Sequence, residues 1–304
     1  MKIYDTIIIG GGPAGYGAAL YTSRAGLETL VIERMSVGGQ MAITDVIDNY
    51  PGFDEGVDGF TLGMKMQAGA EKFGANTEYG EVISVSLKEE PKRIVASSGE
   101  YFARSVIIAT GANPRELGVE GERELTGRGV HYCAHCDGRF YKDKTVVVVG
   151  GGNTAASDAL YLSHLAKKVI LIHRRDTLRA TKIYHEPLMN RENVEFLWNS
   201  TVSGLLVDGR VKGAVVKNLV SGKDSELKCD GIFVSIGRKP ATELFSELEL
   251  DESGYIIADE STKTSIGGVF AVGDVRTKAL RQVVTAVSDG AVAAHFAEEY
   301  LSLK

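Results

Sequence analysis

A glycine-rich turn between a β-branched strand and a helix occurs twice in this chain, and two such turns admit few folds besides a pair of nucleotide-binding α/β units. The first follows residues 6–9, a continuous apolar run of the kind buried on both faces of a parallel sheet. It reads Gly10, Gly11, Gly12, Pro13, Ala14, Gly15. In this G-x-G-x-x-G pattern the glycines let the backbone turn tightly and approach a pyrophosphate at the N-terminus of the following helix. A second strand over 29–32 ends at Glu33, 18 residues past Gly15, where a carboxylate can accept hydrogen bonds from an adenosine ribose. The second copy begins 140 residues later: a strand over 145–149, then Gly150, Gly151, Gly152, Asn153, Thr154, Ala155. Its next strand, 169–172, runs into His173, Arg174 and Arg175, with Arg179 a turn beyond. No carboxylate stands at the ribose position. Arg174 lies 22 residues past Gly152, where a guanidinium can grip a 2′-phosphate, so the spacing predicts NADP rather than NAD. The alternative for these arginines is a solvated basic helix start or a targeting patch.

Between the two turns lies Cys133, Ala134, His135, Cys136, Asp137, Gly138. Two cysteines at this spacing close a small disulfide ring, and a thiolate there is favoured by a helix N-terminus or nearby positive charge. The competing reading is zinc, which needs four ligands. The one other cysteine, Cys229, stands alone beside the apolar run 232–236, and His131 and His135 are too local to complete a tetrahedron. A CxxC beside βαβ units therefore favours redox chemistry, with no metal. Cys229 reads as a small buried hydrophobe.

At 304 residues the chain can hold two domains with separate cores. Thirty-six glycines against six prolines suit nucleotide loops. A net charge of −6 argues against a nucleic-acid partner. Three cysteines are too few for a secreted disulfide framework and fit the cytoplasm. The first residues, with Asp5 inside an apolar run, read as a strand rather than a leader. No apolar run approaches the roughly 20 residues that span a bilayer, so a soluble protein with no membrane association is expected.

Four further loops, Gly38-Gly39-Gln40, Asn49-Tyr50-Pro51-Gly52, Thr110-Gly111 after a strand at 105–109, and Gly273-Asp274 after a strand at 268–272, are by themselves only turns. Taken in order with both fingerprints, the CxxC, the arginines and Arg281-Gln282, they make the chain resemble the low-molecular-weight thioredoxin reductases over essentially its full length. The resemblance implies an α/β fold of two Rossmann-like, three-layer ββα dinucleotide-binding domains. An FAD domain would be built from 1–115 and 246–304, with an NADPH domain carrying the CxxC, 116–245, inserted. It further implies a homodimer, rotation of one domain against the other, and a thioredoxin-like protein as partner. Matched position by position, Cys136 resembles the flavin-proximal sulfur, Cys133 the sulfur that attacks the partner, and Asp137 the acid that manages the leaving proton. The FAD contacts it implies are Gly10, Gly12, Pro13, Ala14, Gly15, Glu33, Gly39, Gln40, Asn49, Thr110, Gly111, Gly273, Asp274, Arg281, Gln282 and Val283. The NADPH contacts are Gly150, Gly152, Asn153, Thr154, His173, Arg174, Arg175 and Arg179. The last helix, with an apolar stripe of Val283, Val284, Val287, Ala291, Ala294 and Tyr300, would point its positive end at the flavin.

The chain departs from the family pattern in three places. His135 stands between the cysteines where Thr or Val is usual. Ala156-Ser157-Asp158 replaces a Val-Glu pair after the second fingerprint. Pro187 interrupts a helix that begins near Thr181. The expected activity is transfer of electrons from NADPH through FAD and the Cys133/Cys136 disulfide to a thioredoxin-like disulfide. The nearest rival is a ferredoxin-linked reductase or dithiol oxidase on the same fold, which would not need the arginines. A peroxiredoxin-system reductase, a reductase of free flavin or ferredoxin, and a flavin-dependent redox sensor without turnover complete the alternatives.

Overall fold

The computed structural model describes residues 2–44 and 46–303. The chain divides into two compact units, Met1–Asn113 with Lys239–Lys304, and Pro114–Arg238.

In the first unit the run Ile3–Ile9 pairs in parallel with Thr29–Glu33 on one side and Gly99–Ile108 on the other, and Asn76–Tyr79 extends the sheet beyond Thr29–Glu33. Alternation sorts the apolar residues: Ile8, Val31 and Ile107 face one layer, and Ile7, Ile9, Leu30, Ile32, Val106 and Ile108 the other. The first layer is helical, made by Pro13–Arg24 and Val283–Ser302. The long strand Gly99–Ile108 is used twice along its other edge. Its early residues pair antiparallel with Lys92–Ala96, which in turn pairs with Val82–Ser86, and its last residues pair in parallel with Val269–Ala271.

Of the expected stripe on the last helix, Ala294 is buried, Val283 and Tyr300 pack against cores and Val284 is exposed; the buried face also takes in Ala286, Asp289, Gly290, Ala293, Ala297 and Leu301. The two helices lie close together. A Cβ on Gly290 would collide with the backbone of Ala14 and Ala18, and one on Gly17 would sit 3.0 Å from the Val287 carbonyl oxygen. Glycines on both helices are what allow so close a crossing.

In the second unit the parallel strands run in the order Val194–Leu197, Lys168–Ile172, Thr145–Val149, Gly231–Val234, Val130–His131. One face packs on the helix Asn153–Ser163 through Ala155, Ala159 and Leu162. The other is covered by an antiparallel sheet of Ser200–Asp208, Arg210–Asn218 and Asp224–Lys228, through Val202, Val211, Ala214 and Val216. Helix, parallel sheet and antiparallel sheet give three layers. Around Pro187 the chain forms only a 3₁₀ turn, Lys182–Tyr184, and a short helix, His185–Met189.

The return crossing falls at Lys239, seven residues before the expected 246. Local bonding explains the difference. Ala241 N donates to Gly111 O, Thr110 Oγ1 donates to Ala241 O, and Phe245 is buried in the first unit's core, so 239–245 already belong there.

Candidate active site

The Cys133–Cys136 disulfide is closed. Cys133 immediately precedes the one-turn helix Ala134–Asp137, and its Sγ accepts a hydrogen bond from Cys136 N at 3.2 Å. His135 points outward and stacks on Tyr161, ring centroids 4.3 Å apart at 23°. Its Nδ1 lies 3.9 Å from Asp158 Oδ1. Asp158 is buried on the helix Asn153–Ser163 and accepts from Ser235 Oγ at 2.5 Å. Burial raises its carboxyl above the usual range, against the Ser235 bond and the charges of His135 and Arg238. Asp137 carries the other contact of this region. Its Oδ2 lies 3.0 Å from Nδ1 of the buried His131.

The second fingerprint forms a cradle in the same unit. Gly150 has φ +149° with Ala155 and the Ser235 carbonyl packed against it, positions a Cβ would occupy. Gly151 lies directly under the His173 ring, so that any Cβ there would overlap the imidazole. Gly152 caps the helix, and a Cβ there meets nothing within 4 Å, which leaves the backbone open at the N-terminus. The arginine segment is tied to this turn by Arg179 N and Ala180 N, which both donate to Gly151 O, and by Thr181 N, which donates to Asn153 Oδ1 at 2.8 Å. Thr154 is exposed on the first turn of the same helix. Arg174, Arg175 and Arg179 are exposed and, among the described residues, form no ion pair. His173 is buried with its Nε2 lacking a partner. Burial, then the charges of Arg179, Arg174 and Arg175, push its pKa down, which disfavours an imidazolium beside three cations. Unpaired cations and an orphaned ring nitrogen around an open helix terminus fit an NADP phosphate.

The first unit builds a matching cradle. Gly10, at φ +107°, is so close to the next strand that a Cβ would lie 2.6 Å from Ala109 O, and Gly15 packs on Gly10. Gly12 is open, while Gly11 N donates to Glu33 Oε2 at 2.6 Å and Met35 N to Glu33 Oε1 at 3.0 Å. Gly38 N donates to Gly11 O, and Gly39 lies against Gly12. Gln40 Nε2 donates to Ala112 O and Asn113 Oδ1. Asn49 Nδ2 donates to Gln282 Oε1 at 3.1 Å, which brings together two expected positions 233 residues apart. Gln282 is the N-cap of the last helix in a capping box with Thr285, and Val283 packs beside Met41 and Leu62. Arg281 stacks on Tyr255 at 4.2 Å and keeps a buried Nε without a partner. Gly273 sits 2.9 Å, at its Cβ position, from Ala14 Cβ, with Asp274 half-buried beside it. Thr110 is engaged by Ala241, and Gly111 is open, with φ +72°. The open glycines and the orphaned Arg281 Nε fit the FAD positions expected in this unit.

Sequence reading missed the residues that hold these pieces still. Asp289 accepts from Gly273 N at 2.8 Å, from Arg276 Nε at 3.0 Å and Nη2 at 2.8 Å, and from Lys278 Nζ at 2.7 Å. Its visible signal is a carboxylate in the middle of a small-residue helix face. Tyr141 gives no signal from spacing, and His131 enters the sequence reading only as a rejected metal ligand. Cys229 is free and buried, and burial, reinforced by Asp230, pushes its thiol up to about 12.

Residues 4–290 match the family model described as pyridine nucleotide-disulphide oxidoreductase. The chain is 50% identical over 302 residues to the thioredoxin reductase of Listeria monocytogenes serovar 1/2a, covering 99% of this chain and 94% of that one. To the thioredoxin reductase of Bacillus subtilis it is 49% identical, covering 99% and 95%. The crystal structure of thioredoxin reductase from Streptococcus pyogenes superposes with a TM-score of 0.92 at 44% identity, covering 99% of both chains. With a closed CxxC and two glycine cradles in place, the chain belongs to the pyridine nucleotide-disulphide oxidoreductases and, among them, to the thioredoxin reductases.

Proposed function

We propose that this chain is an NADPH-dependent thioredoxin reductase that passes two electrons to the disulfide of a thioredoxin-like protein through FAD and the Cys133/Cys136 couple. The observation that carries the reading is the closed Cys133–Cys136 disulfide in the same unit as a dinucleotide cradle followed by three unpaired arginines. The first unit is the FAD domain and the second the NADPH domain. Bound FAD supplies the two-electron chemistry that links a nicotinamide hydride to a disulfide.

The chain's own residues do the rest. Gly10, Gly12, Pro13, Ala14 and Gly15 present open backbone to the FAD pyrophosphate, and Glu33 keeps lone pairs for a ribose hydroxyl. Gly150, Gly152, Asn153 and Thr154 do the same for NADPH, and Arg174, Arg175 and Arg179 select its 2′-phosphate. The Cys133 thiolate attacks one sulfur of the partner disulfide. The partner's other sulfur leaves with the electron pair and takes a proton managed by Asp137. The Cys136 thiolate then closes on Cys133 and releases the second thiolate. A homodimer in the cytoplasm is the expected setting. Among the described residues no helix is long and apolar enough to cross a membrane.

The test is anaerobic titration of the FAD-loaded protein with NADPH, with NADH and Arg174→Ala as comparisons. Stoichiometric flavin bleaching by NADPH, weakened selectively in the variant, supports the reading. No bleaching by either nucleotide refutes it and turns attention to ferredoxin or a dithiol donor.

A further inference from the structure

Asp137 does not stand alone behind the disulfide. His131 Nδ1 lies 3.0 Å from Asp137 Oδ2, and His131 Nε2 lies 2.7 Å from Tyr141 Oη. Three separate elements bring these groups together. His131 ends the edge strand Val130–His131, Asp137 ends the helix Ala134–Asp137, and Tyr141 ends the 3₁₀ turn Gly138–Tyr141. The ring of His131 is fixed by Phe233, stacked at 5.2 Å and 27°, and by Tyr141, edge-on at 5.2 Å. Space for Tyr141 is made by Gly231, where any Cβ would overlap the phenol ring. His131 and Tyr141 are 5% and 2% exposed, so water does not compete for either ring. The charged and titratable groups facing this chain include Asp137, Arg210 from the antiparallel sheet, the buried Cys229, and Lys144, whose Nζ lies 5.5 Å from the Tyr141 ring centroid.

Burial pushes the Tyr141 phenol up to about 12, partly countered by Arg210, so the hydroxyl keeps its hydrogen at working pH. Two protonation arrangements then keep both nitrogens of the His131 ring hydrogen-bonded. A neutral imidazole donates from Nδ1 to the Asp137 carboxylate and accepts from Tyr141 at Nε2. An imidazolium donates from both nitrogens, to Asp137 and to the Tyr141 oxygen. His131 takes up or gives away one proton with both ring nitrogens still hydrogen-bonded, while side chains stay in place.

On the reading of the chain as a thioredoxin reductase, we propose that His131 is a positioning residue that holds Asp137 and shares its proton, so that the Asp137–His131 pair, backed by Tyr141, supplies the proton to the departing sulfur. The step balances. The Cys133 sulfur forms a bond to one partner sulfur as the partner S–S bond breaks. The other partner sulfur leaves as a thiolate and takes the proton that the His131 imidazolium passes on through the Asp137 carboxylate. His131 is left as the neutral imidazole and Asp137 as the carboxylate it was before. A second proton-carrying group behind the carboxyl makes turnover depend on pH through the pair, and removing the imidazole changes that dependence.

The experiment uses the FAD-loaded protein, NADPH and an oxidised bacterial thioredoxin, with kcat measured from pH 5 to 9 for the wild type, His131→Asn and Tyr141→Phe. Asparagine can still donate to Asp137 but cannot carry the proton. The expected result for His131→Asn is unchanged flavin bleaching by NADPH and unchanged KM for NADPH, with kcat reduced by up to roughly 10²-fold near pH 7. The loss shrinks as pH is lowered toward 5, and Tyr141→Phe moves the profile the same way by less. A His131→Asn profile that superimposes on the wild type overturns the inference, as does a loss of equal size at every pH. Wild-type protein that fails to turn over with NADPH and thioredoxin instead overturns the functional reading, and this inference falls with it.

Discussion

Replacing Asp289 by Asn removes a buried carboxylate that anchors the Gly273-Asp274 loop to the last helix. It accepts both fork nitrogens of Arg276, the ammonium of Lys278 and the Gly273 N–H, and all three side chains are nearly inaccessible. The amide keeps the shape but drops the charge, which leaves Arg276 and Lys278 as two buried cations facing each other. Breaking a buried pair by removing one charge costs about 3–5 kcal/mol. For a unit of 150–250 residues each kcal/mol moves the melting temperature by about 2–4 °C, so the first unit is expected to melt about 6–20 °C lower and to retain less FAD. The pH dependence has a definite sign. Burial alone would raise the Asp289 carboxyl, but the hydrogen bonds and charges of Arg276 and Lys278 override it and hold the group below its usual value. A depressed carboxyl contributes stability that is fully present above its unfolded value of about 3.9 and is lost as pH falls through the folded value. The gap between wild type and Asp289→Asn should therefore be constant from pH 7 to 5 and narrow below about pH 4. Scanning calorimetry of the FAD-loaded protein at several pH values measures it. A shift under 2 °C at pH 7, or a gap that widens on acidification, would refute the reasoning.

Four further outcomes are expected. Arg174→Ala removes an exposed guanidinium with no competing ion pair, so KM for NADPH should rise about 10- to 100-fold, about 1.4–2.8 kcal/mol, with little change for NADH; steady-state kinetics with both nucleotides checks this, and equal losses for the two would contradict it. Gly151→Ala forces a methyl into the buried His173 ring, an overpacking cost of about 1–3 kcal/mol, and should lower both the melting temperature and NADPH affinity. His135→Thr should lower the reduction potential of the Cys133/Cys136 couple by roughly 30 mV, equivalent to about 1.4 kcal/mol, measured against a glutathione or dithiothreitol redox buffer; an unchanged potential would make His135 a bystander. Cys229, with its thiol pushed up to about 12, holds on the order of 10⁻⁴ thiolate at pH 8 and should resist iodoacetamide in the folded oxidised protein, where labelling within minutes would be inconsistent with its burial.

What could be read from the sequence and what could not divide along a physical line. Strand 145–149, both glycine turns and the CxxC are local, because a run of β-branched residues, a positive-φ glycine and a ring-forming cysteine pair carry their meaning within a few residues. The Asn49–Gln282 hydrogen bond spans 233 residues, yet its two ends were singled out because each sits in a loop that the family pattern names. Asp289, His131 and Tyr141 belong to neither class. A buried acid and a buried imidazole are tolerated only when partners from other elements satisfy them, and those partners become adjacent through packing rather than spacing. The last helix makes the same point in a simpler currency. The expected stripe carries the valines, but the face that meets Pro13–Arg24 also takes in Ala286, Gly290, Ala293 and Ala297, since backbone-to-backbone approach rewards small residues. Had closeness been weighed above hydrophobicity, Asp289 would have been found on the buried side, and a carboxylate there demands a cation, which Arg276 and Lys278 supply from the loop that follows Gly273-Asp274.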